Sequence, residues 1–176
     1  LTYNSDHTSI ASMPGMRERT IVINGFSKAY AMTGLRLGYA LGPAAAIDSM
    51  NRVHQYTMLS APTTAQYAAI EALRSCEDAV TEMTAEYNRR RRFVLSRFEE
   101  MGLDCFTSRG AFYAFPECGG DDEAFAEELL EEQSVAVVPG SVFGESGEGH
   151  LRVSYATGMR ELKIAMSRLE EFCRSR

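Results

Sequence analysis

A lysine and an arginine lie eight residues apart in a glycine-containing segment that follows a run of β-branched residues. They are Lys28 and Arg36, and residues 24–39 read NGFSKAYAMTGLRLGY. An uncharged lysine amine can attack a carbonyl carbon to form a Schiff base, and burial or nearby positive charge favours that uncharged form. The apolar stretches on either side of Lys28 predict burial, and Arg36 supplies the positive charge. The segment therefore favours a nucleophilic lysine.

Other residues of the same segment suit a phosphate group. The planar guanidinium of Arg36 can donate two parallel hydrogen bonds to phosphate oxygens. Ser27 can add a hydroxyl, while Gly25 and Gly34 let the backbone approach a ligand closely. A simpler alternative is that Lys28 is an ordinary surface lysine and that Arg36 pairs with an acid, since most lysines are exposed. The residue types alone leave both interpretations open.

The whole segment resembles the cofactor-lysine segment of fold-type I, class I/II pyridoxal-phosphate aminotransferases over most of its residues. The resemblance implies that Lys28 is the catalytic residue and binds pyridoxal 5'-phosphate, together with Arg36, Ser27 and Gly25. Gly25 departs from the pattern, because many members carry a hydroxyl residue at that position. The variant SKAYAMTGLRLGY is most similar to the bacterial and archaeal subgroup that includes aspartate and aromatic aminotransferases.

A second motif lies in residues 138–156, where VPGSVFG leads through a loop rich in glycine and glutamate to HLRVSYA. Arg152 alternates with Leu151, Val153 and Tyr155, which predicts a half-buried strand with the arginine on the opposite face. Taken alone, Arg152 would more often form a structural ion pair. The motif resembles the C-terminal signature of the same family, and this resemblance implies that Arg152 binds the substrate α-carboxylate through a bidentate pair.

The segment RGAFYAFP, residues 109–116, also matches a family segment near the substrate, although three aromatics on one strand first predict core packing. Family residues that contact the pyridine nitrogen and the phenolic oxygen of the cofactor belong to an N-terminal half. Tyr3 and Asp6 have suitable side chains for contacts with the phenolic oxygen and the pyridine nitrogen, but the resemblance does not extend to them and they are not assigned these roles. We therefore expect the 176 residues to be part of a larger enzyme and to show little or no transamination alone.

The resemblance implies transamination between an L-amino acid, with the aspartate type favoured by a small margin, and a 2-oxo acid. It also implies a homodimer, because the family builds its active site across two subunits. A fold and a lysine do not determine the reaction. Two alternatives therefore stay open: a β-lyase on the same scaffold, and an aminotransferase-like effector domain of a transcription regulator.

Composition argues against several other functions. The net charge of −6 and the pI of about 5.2 disfavour binding to nucleic acid or to a membrane surface. The basic run at 89–92 is predicted to be a solvated helix face. The four cysteines form no C-x-x-C pair, which is typical of reduced thiols in a cytoplasmic protein. The three histidines are far apart, so no metal site is predicted.

The periodicities predict an α/β fold, the C-terminal part of a fold-type I transferase. Residues 1–75 would be a remnant of the large domain with its parallel or mixed sheet, 76–102 a long bridging helix, and 103–176 a small α+β domain. Two buried strands, 20–24 and 35–41, would flank the lysine segment. Further helices are predicted at 44–56, 63–73 and 121–132, and a last one begins at Met159. Thr63 and Gln66 would form a capping box at the start of the second of these. Further strands are predicted at 104–107, 111–115, 134–138 and 150–155.

Overall fold

The computed structural model describes residues 1–176 and divides the chain into two units. Residues Asp6–Met83 form one unit, which contains Lys28 and is called the lysine unit. Leu1–Ser5 and Thr84–Arg176 form the other, which contains Arg152 and is called the arginine unit. The boundary falls within a helix, so the predicted division at 75 and 102 remains a prediction.

The lysine unit contains a two-stranded antiparallel sheet. Strand β1 (Val22–Gly25) pairs with β2 (Gly38–Leu41), with Val22 opposite Leu41 and Gly25 opposite Gly38. The prediction that both strands are buried is wrong for this chain, since Ile23 is 76% exposed and Leu41 60% exposed. No further strand pairs with these two, and other residues of the chain do not cover these side chains.

Three helices lie wholly within the lysine unit: α1 (Phe26–Ala29), α2 (Ala44–Thr57) and α3 (Thr63–Ser75). The single turn α1 was not predicted, whereas α2 and α3 confirm the helical patterns. Helix α3 buries Ala65, Ala69 and Ala72, which repeat every three or four residues along one face. The predicted capping box does not form. Pro62 is the N-cap, Thr63 lies inside the helix, and the Gln66 side chain donates to the carbonyl of Ala61 instead.

The long helix α4 (Glu77–Met101) confirms the longest periodic pattern in the sequence, and Gly102 follows it in a left-handed conformation. Val94 and Phe98 on this helix are fully buried. Arg91 lies one turn before Val94 on the same face and is only 6% exposed, so the prediction of a solvated basic face is wrong at this residue. Its guanidinium donates to the Ser108 carbonyl at 2.7 Å and lies over the ring of Tyr3.

The arginine unit has a three-stranded antiparallel sheet with Arg152 on its central strand. Strand β5 (Leu151–Ser154) lies between β3 (Tyr113–Ala114) and β4 (Val138–Pro139). The observed strands are shorter than predicted, and the expected strand at 104–107 is reduced to one bridge between Cys105 and Pro116. Prolines at 116 and 139 lack the N–H that would extend the ladders.

Two helices pack on this sheet: α5 (Asp122–Gln133), with Asp121 as its N-cap, and α6 (Met159–Ser175). Near the C-terminus of α6, Phe172 is 1% exposed and its ring fills the core, whereas the neighbouring Cys173 is only half-buried. The core combines side chains of both helices, α4 and the sheet: Val94, Phe98, Phe125, Leu129, Leu151, Val153, Tyr155, Leu162, Met166, Leu169 and Phe172.

Candidate functional site

The segment that carries Lys28 is a loop whose two ends meet. Gly25 and Gly38 face each other across β1 and β2, and the Phe26 N–H donates to the Leu37 carbonyl at 3.1 Å. A Cβ on Gly25 would lie 3.3 Å from the Leu37 oxygen, and one on Gly38 would lie 2.9 Å from the Asn24 oxygen. Both glycines therefore permit the close strand approach that closes the loop.

The backbone N–H of Gly25, which could donate to a ligand, already has an acceptor within the chain. It donates to the side-chain oxygen of Asn24 at 2.8 Å. The structure thus gives Gly25 a role in loop closure, which the sequence reasoning did not foresee.

Phe26 fixes the start of the loop, and Ser27 and Lys28 follow it on α1. Phe26 is 5% exposed, and its ring contacts those of Tyr30 and Tyr39 at centroid distances of 5.5 and 5.6 Å. Ser27 is half-buried and Lys28 is exposed. The burial predicted for Lys28 is therefore not found in this chain, because the inward position of this single turn belongs to Phe26.

Arg36 lies near the other end of the same loop, in the left-handed region at φ 51° and ψ 51°. A non-glycine residue rarely adopts this conformation, and such residues cluster at functional sites. Ala31 in the same loop also has a positive φ of 53°. The exposed Arg36 side chain donates one hydrogen bond to the Thr33 carbonyl at 2.9 Å and takes part in none of the chain's ion pairs.

Arg152 is held by the centre of the sheet in the arginine unit. Leu151, Val153 and Tyr155 are buried on one face of the strand, and Arg152 is half-buried on the other, as the alternation predicted. None of the chain's ion pairs includes Arg152, so the alternative of a structural ion pair is not found.

Two aromatic rings contact the guanidinium of Arg152. Its Cζ atom lies 4.8 Å from the ring centroid of Tyr113, on β3, and 4.9 Å from that of Phe143. These are cation–π distances. The sequence placed both aromatics in motif segments, but it gave no signal that they would converge on one arginine.

The turn that carries Phe143 is tied to helix α5 by a buried carboxylate. Asp122 accepts hydrogen bonds from the backbone N–H of Ser141 at 2.7 Å and of Gly149 at 3.3 Å. These bonds, led by that from Ser141, lower the pKa of Asp122 below its usual range. Sequence reasoning missed this residue, because a second aspartate at a helix start is already explained by the helix dipole.

The predicted site residues are divided between the two units. Gly25, Ser27, Lys28 and Arg36 lie on one closed loop of the lysine unit, whereas Arg152 lies in the arginine unit. The chain contains no cluster of three or more histidine, cysteine, aspartate or glutamate side chains arranged to bind a metal ion. None of its helices is both long and apolar enough to cross a membrane.

Comparison with known proteins gives one consistent result. The family model "Aminotransferase class I and II" matches residues 2–169. The chain is 52% identical over 175 residues to the putative aminotransferase YugH of Bacillus subtilis, covering 98% of this chain and 45% of that protein. It is 48% identical to an aspartate aminotransferase of Pyrococcus abyssi, covering 97% and 45%.

Solved structures agree with the sequence matches. An aromatic aminotransferase from Pyrococcus horikoshii superposes with a TM-score of 0.96 at 46% identity, over 99% of this chain and 48% of that one. The prediction of an α/β fold from the C-terminal part of a fold-type I transferase is thereby confirmed. The chain spans about half the length of the curated relatives it matches.

Proposed function

Because this chain belongs to the class I and II aminotransferases, we propose that its protein transfers an amino group between an L-amino acid and a 2-oxo acid. Members of this family depend on pyridoxal phosphate. The observation that carries the proposal is the closed loop at 25–38, which presents the amine of Lys28, the hydroxyl of Ser27 and the guanidinium of Arg36.

The donor set of this loop fits pyridoxal 5'-phosphate. When bound, this cofactor supplies an aldehyde for an amine and a ring that accepts electrons from the substrate α-carbon. Lys28 would hold the aldehyde carbon, and Arg36 and Ser27 would hold the phosphate. Arg36 uses one N–H on the Thr33 carbonyl, which leaves other donors of its fork for phosphate oxygens. Gly25 would contribute by closing the loop.

Lys28 is also the group that can move protons in this reaction. Its Nζ can remove the proton from the substrate α-carbon as an amine and return a proton as an ammonium. Lys28 is an exposed residue on α1, the single turn at the start of the loop.

Arg152 would bind the substrate α-carboxylate. Its strand lies between two hydrogen-bonded neighbours, and its guanidinium has no carboxylate partner within the chain. A guanidinium fixed in this way can orient a carboxylate by two parallel hydrogen bonds.

Aspartate is our preferred amino donor, a preference supported by the Pyrococcus abyssi relative. The Pyrococcus horikoshii structure carries the name of an aromatic aminotransferase at a similar identity, so aromatic donors are the competing substrates in any assay. We further propose that the protein is a cytoplasmic homodimer.

The decisive assay uses the full-length protein that contains these residues, loaded with pyridoxal phosphate. Incubation with L-aspartate and 2-oxoglutarate should produce glutamate and oxaloacetate, and Lys28→Ala should abolish that production. Lys163 is the other lysine of the chain, lies exposed on α6, and provides a matched control in which Lys163→Ala retains activity. A second incubation contains no 2-oxo acid and supplies an amino acid with a thioether at its β-carbon, such as L-cystathionine. Release of the thiol with pyruvate and ammonia from that substrate, together with no amino transfer from L-aspartate, would indicate a β-lyase and contradict the proposal.

A further inference from the structure

The guanidinium of Arg152 lies over the rings of Tyr113 and Phe143, at 4.8 and 4.9 Å from their centroids. We propose that these two rings, called the aromatic pair below, are positioning residues that hold Arg152 ready for a substrate carboxylate. The inference rests on the proposed function of Arg152 and adds the residues that set how tightly it binds the carboxylate.

The chemistry of the contact distinguishes an aromatic ring from an acidic partner. A carboxylate next to Arg152 would neutralise its charge and occupy its N–H donors, and a substrate would have to displace it. An aromatic face attracts the cation through its quadrupole and leaves the in-plane N–H groups available. The aromatic pair can therefore restrict the arginine side chain while its hydrogen-bonding capacity remains for a ligand.

Restriction of this side chain has a direct effect on binding. An arginine side chain has several rotatable bonds, and ordering it when the ligand arrives lowers the affinity. Contacts that order it beforehand reduce that loss. Because the contacts act equally in the substrate complex and in the transition state, their removal should raise KM and leave kcat nearly unchanged.

Each ring is fixed by contacts that do not involve Arg152. Tyr113 lies on β3 opposite Ser154 of the central strand, and its ring contacts that of Phe112 at 4.7 Å. Phe143 ends the short turn Gly140–Phe143, and its ring meets that of Phe115 edge-on at 6.3 Å.

The turn before Phe143 is strongly constrained. Asp122 accepts the Ser141 N–H, and the Gly140 N–H donates to the His150 carbonyl at 2.8 Å. A Cβ on Gly140 would overlap the Gly147 carbonyl oxygen, so only glycine permits this close passage of the two backbones. Two elements separated in sequence, a strand and a tethered turn, thus bring both rings to the same guanidinium.

The experiment measures steady-state kinetics of the full-length protein loaded with pyridoxal phosphate. Phe143→Leu and Tyr113→Leu remove one aromatic face each while keeping an apolar side chain. We expect each to raise KM for the amino donor and for the 2-oxo acid by about three- to tenfold, with kcat changed by less than about twofold. The affinity for succinate, an unreactive dicarboxylate, should fall by a similar factor in calorimetry.

Conservative variants separate positioning from simple structural support. Phe143→Tyr and Tyr113→Phe keep the aromatic face and should retain the KM of the unmodified protein. Phe106→Leu is the matched control. Phe106 is an aromatic residue of the same unit, is 75% exposed, and takes part in none of the cation–π contacts with arginine. Melting curves of all variants identify any loss of folding. If one of the two leucine variants does not fold, the KM of the other shows whether the aromatic pair positions Arg152.

The results distinguish this inference from the proposed function. If Arg152→Gln raises KM strongly while both leucine variants leave it unchanged, the aromatic pair has no positioning role and the inference fails alone. Equal losses of kcat in the leucine and conservative variants would also overturn it. If the unmodified protein shows no transamination, the proposed function fails. If transamination occurs but Arg152→Gln leaves KM unchanged, the carboxylate role of Arg152 fails, and the positioning role of the aromatic pair fails with it.

Discussion

The Asp122 carboxylate and the backbone N–H of Ser141 form a 2.7 Å hydrogen bond across 19 residues of sequence. The same carboxylate accepts the Gly149 N–H at 3.3 Å. One buried side chain thus ties the start of α5 to both ends of the loop that carries Phe143. Asp122 lies outside the sequence motifs, yet it fixes the turn whose Phe143 ring contacts Arg152.

Replacing Asp122 by asparagine should destabilise the arginine unit. The amide keeps one acceptor oxygen but brings an NH2 group toward backbone donors, and the charge that strengthens both bonds is lost. We expect Asp122→Asn to lower the melting temperature by several degrees. Glu127→Gln on the exposed face of the same helix should leave it unchanged. Equal melting temperatures for the two variants would contradict this role of Asp122.

The contribution of Asp122 to stability should depend on pH in a defined direction. Its pKa is lower in the folded protein than in the unfolded chain, so its stabilisation is complete above the unfolded value of about 4 and is lost as the pH falls through the folded value. Urea unfolding should therefore show a gap between the original protein and Asp122→Asn that is constant from about pH 5 to 7 and closes below about pH 4. A gap that does not change with pH would rule out this account.

The Glu86 carboxyl does not affect the difference in stability between the original protein and Asp122→Asn. Hydrogen bonds from Arg89 and Arg90 lower its pKa to about 2, so it also titrates in acid. Because Glu86 is present in both proteins, its contribution cancels in their difference.

Arg91 and Arg92 are adjacent in sequence but should differ sharply in their effects on stability. Arg91 is buried and donates to the Ser108 carbonyl and the Asn88 side chain, whereas Arg92 is exposed. Arg91→Met should lower the free energy of unfolding by about 1–3 kcal/mol, because a buried carbonyl loses a charged donor. Arg92→Met should change it by less than about 0.5 kcal/mol. Chemical denaturation of both variants tests the contrast, and similar effects would show that Arg91 is not anchored as described.

Ser108 offers a prediction of opposite sign. Its side-chain oxygen is buried without a hydrogen-bond partner, while its backbone carbonyl accepts from Arg91. Ser108→Ala removes the unsatisfied hydroxyl and keeps the carbonyl, so stability should stay the same or rise by up to about 1 kcal/mol. A clear loss of stability in urea unfolding would mean that the hydroxyl has a partner in solution.

Local periodicity was sufficient to predict the elements that depend on nearby residues. The alternation around Arg152 predicted its strand and the face on which it lies, because side chains of a strand point to opposite faces. The apolar repeat of α4 likewise predicted a helix ending at Gly102, where a left-handed residue stops the helical hydrogen bonds. These predictions need no knowledge of distant contacts.

The sequence could not predict features that depend on residues far apart in the chain. Burial of Arg91 requires a carbonyl from residue 108 and a ring from residue 3, and its position within a basic run indicated the opposite. The convergence of Tyr113 and Phe143 on Arg152 depends on a tertiary turn held by Asp122. The left-handed backbone of Arg36 has no residue-type signal, since such a conformation normally indicates glycine.

The most direct test of the central claim is to identify the residue that binds pyridoxal phosphate. Residues 1–176 contain only two lysines, Lys28 and Lys163, so peptides from this part of the protein have a simple readout after borohydride reduction and mass spectrometry. In the full-length protein, we expect a stable reduced adduct on Lys28, its absence in Lys28→Ala, and its retention in Lys163→Ala. An adduct on Lys163 without one on Lys28, or no adduct on either, would contradict the assignment of Lys28 as the cofactor lysine.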